Sequence, residues 1–372
     1  MWTLGMVQLF CASLYWEKWL HTWDLKYESF PLTNSHRGRL NTPMAEDVSM
    51  LGHGYHCLKG NAFFTLLLLY IIAFSPAVTG FECSSQTDVG QLRIESDNLN
   101  YDDTQIVADA EGNRFKRDLR PARFDDFYQT CIVPKLESID IEELSAQQSS
   151  KLFDLLMSVY FVTKNPEILD SFYQILDTKI TQGHDIHSEL HIFYKALLMA
   201  RDMAGARRLR SEHEDAALPL IWPLMEKQVF TGRTRIHINE NQQVLERKSF
   251  SFPSGGFIVI SASTGCYFSN QFVQWVNRSP EMQQIFRQHG LFLSSQTAGF
   301  YLDEDREFNR TSEPLALNFS YSDREWPEIQ WWGTPVLYFY LDGKLKRQIA
   351  GWPEGGREDE LRDALSAVGL LN

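Results

Sequence analysis

The chain has 372 residues, of which 44% are hydrophobic and 22% are charged. These values are typical of folded proteins, predict about two domains and exclude wholesale disorder. Its 48 acidic residues outnumber the 35 Lys and Arg residues, so a formal net charge of −13 leaves no global basic field, and no nucleic-acid partner is expected. The five cysteines form no CxxC pair, which excludes a disulfide scaffold and a cysteine-rich zinc module.

The first feature in chain order is an apolar run over residues 62–74. It is short for a bilayer span and matches a secretory signal peptide, with Lys59 before it and the small residues Val78, Thr79 and Gly80 after it. This interpretation makes Met50 the initiator and residues 1–80 an over-extended start followed by a signal peptide. One alternative is that the apolar run is an uncleaved membrane anchor. The other is that the whole protein is cytosolic. The first two place the rest of the chain outside the cytoplasm, in the periplasm or another extracytoplasmic space.

Residues 81–225 are predicted to form an acidic leader followed by a helical module. The leader, up to about Pro121, is polar with little hydrophobic period and is expected to be irregular. Beyond it, apolar residues recur at three- and four-residue steps, and Asn165-Pro166 supplies a helix start. The predicted helices cover residues 151–161, 167–180, 186–201 and 203–214. They pair as two successive helical hairpins, expected to serve packing or partner binding.

Three histidines in this module, His184, His187 and His191, have the spacing of one helix face. His187 and His191 could share one metal ion, but no carboxylate has the spacing of a metalloprotease helix. The pattern therefore favours a solvated or partner-facing stripe, and neither a metal nor another cofactor is predicted.

Residues 226–372 show the alternation and buried runs of an α/β sandwich. Residues 234–239 and 244–248 predict a hairpin, and residues 257–260 predict a strand buried on both faces. The later predicted elements are a helix over 270–288, strands over 291–293, 335–341 and 345–350, and a helix over 358–370. The predicted class is thus α+β, with helical hairpins before the sandwich.

Cys266 lies where the buried strand is followed by a helix. The positive end of a helix dipole stabilises a thiolate, so this position is expected to lower the thiol pKa and to favour a nucleophile. A small buried hydrophobe is the ordinary alternative for a single cysteine.

Residues 256–371 resemble the thioredoxin fold. The likeness rests on the strand, the Cys266-Tyr267-Phe268-Ser269 loop at the family's CxxC position, Thr334-Pro335 before a strand, and the Asp342-Gly343 turn. The resemblance implies that Pro335 is cis and faces Cys266, with the backbone at Thr334 pairing with substrate peptide. The hairpin over 234–248 resembles the extra strands of exported thioredoxin-like proteins of the TlpA type.

Three departures from the family narrow the predicted function. Ser269 replaces the second cysteine, Gly265 replaces a tryptophan, and Ile260 replaces a buried acid. A dithiol cannot close, so we expect mixed disulfides formed by Cys266, whose thiolate the Ser269 hydroxyl stabilises, in isomerisation or retention of client proteins. A non-catalytic adaptor is nearly as well supported, so enzyme activity stays open, and glutathione transfer is a minor third hypothesis.

The remaining cysteines and aromatic residues complete this prediction. Cys83 and Cys131 are expected to form one disulfide, although Cys131 with Cys266 is a competing pair. The aromatic residues Tyr267, Phe268 and Trp332 are candidates for a peptide-binding surface, and core packing of the tryptophan is the alternative. The predicted partners are a protein with a thiol or disulfide and a redox partner.

Overall fold

The computed structural model describes Phe81 and residues 83–100, 104–108, 114–312, 315–331 and 333–371. The apolar run over residues 62–74 and the predicted cleavage site lie outside these residues. Within them, no helix combines the length and the hydropathy that a membrane crossing needs.

The first half of the described chain is a helical module. Its helices are α1 Val89–Leu99, α2 Arg120–Phe127, α3 Val133–Ser138, α4 Ala146–Thr163, α5 Glu167–Thr181, α6 His187–Met199 and α7 Met203–Glu212. A π-helical turn, Tyr128–Ile132, joins α2 to α3. The four predicted helices are confirmed as α4 to α7. Helix α4 starts at a capping box, in which Ser145 and Gln148 satisfy each other's backbone N–H groups.

The prediction of an irregular leader is wrong. Helix α1 and an antiparallel hairpin of β1 Thr104–Ala108 and β2 Arg114–Asp118 occupy it. Asp88 caps α1 by accepting a hydrogen bond from the Gly90 N–H at 2.7 Å. The helix buries Leu92 and Leu99 together with Ser96. The buried serine explains the weak apolar signal of this helix.

A disulfide in the structure joins Cys83, ahead of α1, to Cys131 in the π-helical turn. Cys131 is buried, and α1 packs directly against α4. The bridge therefore ties the start of the described chain to the helical module, and Cys266 keeps its thiol.

One mixed, eight-stranded sheet forms the second half. Its strands are β3 Leu224–Met225, β4 Thr234–Asn239, β5 Val244–Ser249, β6 Gly256–Ser261, β7 Gly290–Ser294, β8 Leu317–Ser320, β9 Val336–Leu341 and β10 Lys344–Ala350. They lie in the order β10-β9-β6-β7-β8-β4-β5-β3. The central strands β6, β7 and β8 are parallel, whereas β9 runs antiparallel to β6. Helices and sheet together confirm the α+β class.

The helices of this half are α8 Tyr267–Arg278, α9 Pro280–His289, α10 Leu302–Thr311 and α11 Glu358–Ala367. The prediction of one helix over residues 270–288 is wrong, because the chain breaks between α8 and α9. Proline lacks an N–H and disfavours the helical conformation of the preceding residue, so Ser279 adopts an extended conformation before Pro280. Helix α10 and strand β8 were not predicted.

The register of the central strands brings two loops together. Ser261 at the end of β6 pairs with Val336 at the start of β9. The loop that follows β6 and the loop that precedes β9 therefore meet at one edge of the sheet. These are the loops that carry Cys266 and Thr334-Pro335.

Polar contacts join the helical module to the sheet. The buried Arg201 guanidinium donates to the backbone carbonyls of Tyr321, at 3.1 Å, and of Ser320. Lys164 forms an ion pair with Asp323 at 3.1 Å. The residues from Cys83 onward belong to one compact unit, and the domain boundary expected between residues 225 and 226 stays a prediction.

Candidate functional site

Cys266 occupies the N-cap position of α8, at the end of the loop that follows β6. Its side chain is buried, with 4% of the residue exposed. Two groups of α8 hold the loop: the Asn270 N–H donates to the Cys266 carbonyl at 3.0 Å, and the Asn270 side-chain amide donates to the Thr264 carbonyl at 3.0 Å. The position of the thiol is thus fixed by the first turn of the helix.

The Cys266 thiol faces the loop that precedes β9. Its sulfur donates a hydrogen bond to the Thr334 carbonyl oxygen at 3.3 Å, and the Thr334–Pro335 peptide bond is cis. The Pro335 carbonyl in turn accepts a hydrogen bond from the Gly351 N–H at 2.8 Å. The structure therefore brings together Cys266, Thr334 and Pro335, three of the residues predicted from sequence.

Ser269 lies in the first turn of α8 and is fully buried. Its hydroxyl accepts a hydrogen bond from the Ser263 N–H at 3.4 Å, which ties the start of the cysteine loop to the helix. The hydrogen bond from Ser269 to a Cys266 thiolate stays a prediction. In the structure the Ser269 hydroxyl supports the loop backbone.

Two aromatic residues, Tyr267 and Phe268, follow Cys266 directly in the sequence. Tyr267 is 51% exposed, and its hydroxyl donates to a Glu354 carboxylate oxygen at 3.1 Å, which raises the pKa of the tyrosine. The half-buried Phe268 packs edge-on against the Tyr267 ring, with ring centroids 5.4 Å apart. Trp332 lies outside the described residues, while its neighbour Trp331 packs partly buried against the core. The role of Tyr267 and Phe268 in binding a peptide stays a prediction.

One acidic residue of the site was not predicted. Asp305 on α10 is buried, and it accepts a hydrogen bond from the Thr264 hydroxyl at 3.4 Å, two residues before Cys266. The local sequence, Asp303-Glu304-Asp305-Arg306-Glu307, has the composition of a solvated helix face and gives no sign that the middle acid is buried. A buried carboxyl group is therefore present beside the loop that carries Cys266.

The histidine stripe differs from its prediction. Helix α6 begins at His187, so His184 precedes the helix and the three imidazoles do not share its face. The rings of His187 and His191 are 5.0 Å apart. Burial lowers the pKa of His191, and the charge of His187 lowers it further. Over the described residues, no group of three or more His, Cys, Asp or Glu side chains is arranged to hold a metal.

Comparisons of the chain with protein-family models, with curated proteins and with solved structures found no match. The chemistry that the site offers follows from its own residues. It has one buried thiol, a backbone carbonyl facing that sulfur, and an exposed aromatic residue next in the sequence. Such a set suits attack on a disulfide and contact with an extended peptide.

Proposed function

We propose that residues 226–372 form a thioredoxin-like domain and that Cys266 forms mixed disulfides with client proteins. The observation that carries the proposal is the contact between the Cys266 thiol and the Thr334 carbonyl, at 3.3 Å, across two adjoining loops. The strand order supports it, because β6 leads into the cysteine loop and the antiparallel β9 follows Pro335. This arrangement places the sulfur beside backbone that a client peptide can pair with.

The reaction starts when Cys266 loses its thiol proton to solvent. The thiolate attacks one sulfur of a client disulfide, a bond forms between Cys266 and that sulfur, and the other client sulfur leaves as a thiolate. Electrons balance within this exchange, so no external oxidant or reductant is consumed. Attack by a client thiolate on the mixed disulfide then releases Cys266 and leaves the client with the same or a rearranged disulfide.

The residue at position 269 determines how long the mixed disulfide lasts. In a CxxC loop the second cysteine attacks the mixed disulfide and releases the client. Ser269 is buried one turn from Cys266 and has no sulfur to do so. Release therefore depends on a thiol of the client or of a redox partner, which favours isomerisation and retention over net reduction.

The exposed surface beside Cys266 is the proposed client contact. Tyr267 presents half of its surface to solvent and is held by its hydrogen bond to Glu354. Aromatic side chains fixed in this way bury large areas at a small entropic cost when a peptide binds. Thr334, which is partly exposed, is the proposed contact for the client main chain.

A second candidate function is a non-catalytic adaptor. The burial of Cys266, with only 4% of the residue exposed, favours this alternative because a client sulfur must reach the thiol. On this hypothesis the thiol serves as a small packing group and the aromatic surface binds a partner without covalent chemistry.

Trapping of clients in cells distinguishes the two functions. Cells that express the full chain are acid-quenched and alkylated, and adducts are resolved on non-reducing gels and identified by mass spectrometry. We expect adducts with the wild-type chain and none with Cys266→Ala. Ser269→Cys is expected to lower the adduct yield roughly tenfold, because a resolving thiol is restored. Ser366→Cys, at an exposed site on α11, is the control for an added thiol and should leave the yield unchanged.

Two outcomes would contradict the proposal. Adducts that persist in Cys266→Ala would move the chemistry to another cysteine. A wild-type chain without adducts that still captures the same non-covalent partner as Cys266→Ala would establish the adaptor function.

We also propose that the domain acts outside the cytoplasm. The disulfide between Cys83 and Cys131 supports this, because such bonds persist in oxidising compartments. Mass spectrometry of the exported protein should find a mature N-terminus at Phe81, and a membrane-retained chain that keeps residues 62–74 would support an anchor instead. Full-length chain confined to the cytosol would contradict both.

A further inference from the structure

Asp305 connects a buried carboxyl group to the cysteine loop. Only 1% of the residue is exposed. One carboxyl oxygen accepts a hydrogen bond from the Tyr301 N–H at 2.9 Å, and the other accepts one from the Thr264 hydroxyl at 3.4 Å. The side-chain amide of Asn270 on α8 donates to the Thr264 carbonyl, and the Asn270 backbone N–H donates to the Cys266 carbonyl. A change at the carboxyl group therefore acts on the backbone that carries the thiol.

The surroundings of Asp305 make it change charge near neutral pH. Burial raises the pKa of this carboxyl to about 7, against the opposing effect of the Tyr301 N–H hydrogen bond, while the negative charge of Glu304 raises it further. The Thr264 hydroxyl lowers the pKa because it donates to the ionised form. Strands β7 and β8 contribute no ionisable side chain. The ionisable residues of the cysteine loop and the start of α8 are Cys266 and Tyr267, whose phenol is bound to Glu354.

We infer that Asp305 makes the reactivity of Cys266 depend on pH through the charge of its carboxylate, which lies beside the cysteine loop at the Thr264 hydroxyl. The inference rests on the proposed function, in which the Cys266 thiolate is the nucleophile, and it adds the regulation of that site. When Asp305 is protonated, the loop carries no extra charge. When Asp305 is ionised, a negative charge lies beside the loop and opposes formation of the thiolate. The rise of Cys266 reactivity with pH is therefore shallower than that of an isolated thiol.

The test is the rate of alkylation of Cys266 by iodoacetamide between pH 5.5 and 9. The full chain is used, and mass spectrometry of the Cys266 peptide separates its reaction from that of the other cysteines. The wild-type profile should show an additional inflexion near pH 7, and Asp305→Asn should remove it. The variant should react roughly 3- to 10-fold faster than wild type at pH 8 and at the same rate at pH 5.5. Asp303→Asn, an exposed acid of the same helix, should match wild type.

A second variant keeps the test decisive if Asp305→Asn does not fold. Thr264→Val retains the carboxyl group but removes a hydrogen bond that favours its ionised form. The inflexion should therefore move to higher pH in this variant. A constant ratio of Asp305→Asn to wild-type rates at every pH, or an inflexion in Thr264→Val at the wild-type position, would overturn the inference. Client trapping is independent of this profile, so failure of the mixed-disulfide function and failure of the Asp305 role are separate results.

Discussion

Replacing Lys179 by methionine is expected to lower the free energy of unfolding by about 3–5 kcal/mol. Lys179 on α5 and Glu189 on α6 form a buried ion pair inside the helical module. Ser150 on α4 completes the group, because its hydroxyl donates to Glu189 at 2.7 Å and accepts from Lys179 at 2.8 Å. Lys179→Met leaves the Glu189 carboxylate buried without its countercharge. Urea unfolding at pH 7 measures the loss, and Lys151→Met, at an exposed site on α4, is the control.

The pH dependence of this variant has a definite sign. In the wild-type protein, burial raises the pKa of Glu189, but hydrogen bonds from Lys179 and Ser150 outweigh it and the net pKa is lowered. Glu189 thus stabilises the fold above its unfolded pKa, and this contribution is lost as the pH falls through the lowered folded value. Without Lys179, burial dominates and the sign reverses, so Lys179→Met should be less destabilised near pH 4 than at pH 7.

A double substitution separates charge burial from packing. Lys179→Met combined with Glu189→Leu removes both charges and should recover most of the lost stability, since an apolar pair of similar volume replaces a buried ion pair at little cost. If the double variant is as unstable as Lys179→Met, the loss comes from packing and not from an unpaired carboxylate.

Local sequence signals predicted the elements whose burial pattern is regular. In strand β4 of the hairpin, alternate residues are buried as the sequence pattern requires, and the buried Ile238 pairs with Leu245 on β5. The turn Asp342-Gly343 joins β9 to β10 with positive φ at both residues, which an Asp-Gly pair adopts readily. In both cases the residues that decide the structure are neighbours in the chain.

The elements that were missed depend on contacts between distant residues. Helix α1 buries Ser96, whose hydroxyl is 2.6 Å from that of Ser158, and a polar residue on the buried face hides the helical pattern. Asp305 is another case, because its partner Thr264 lies 41 positions away and the acidic sequence around it predicts exposure. Both are polar groups that become buried only when a partner from another segment is in place.

The site itself was predicted in part. The position of Cys266 between a buried strand and a helix follows from local pattern, and its juxtaposition with Thr334 and Pro335 was expected from the resemblance to the thioredoxin fold. The burial of the thiol, the Ser269 contact with Ser263 and the carboxyl group of Asp305 depend on tertiary packing. These three features bear on reactivity, which is why local sequence left the choice between exchange and adaptor functions open.

Trp326→Ala is expected to lower the free energy of unfolding by about 3–5 kcal/mol and to disturb the site. Trp326 is fully buried and begins the segment that leads to Thr334-Pro335. Its ring packs against Phe250, with centroids 5.0 Å apart, and its indole N–H donates to the Thr234 carbonyl at 3.3 Å. Truncation leaves a large cavity under the segment and an unpaired carbonyl on β4.

Two further variants separate the contributions of the hydrogen bond and of the buried ring to the loss of stability in Trp326→Ala. Trp326→Phe keeps an aromatic ring but loses the hydrogen bond, so a smaller loss of about 1–3 kcal/mol is expected. Trp275→Ala removes a partly exposed tryptophan of α8 and should cost less than Trp326→Ala. Urea unfolding gives the energies, and a loss below about 1 kcal/mol for Trp326→Ala would contradict the cavity argument.

Trp326→Ala also tests whether packing around Trp326 controls the reactivity of Cys266. The Thr334 carbonyl holds the Cys266 thiol, and the segment from Trp326 carries that carbonyl. The backbone of Gln330 on this segment is bound to the buried Tyr338 hydroxyl, with its N–H donating at 2.7 Å. Loss of the Trp326 anchor should loosen the segment and expose the thiol, so alkylation of Cys266 in the folded protein should become faster. An unchanged alkylation rate in a destabilised Trp326→Ala would mean that Tyr338 alone holds the segment in place.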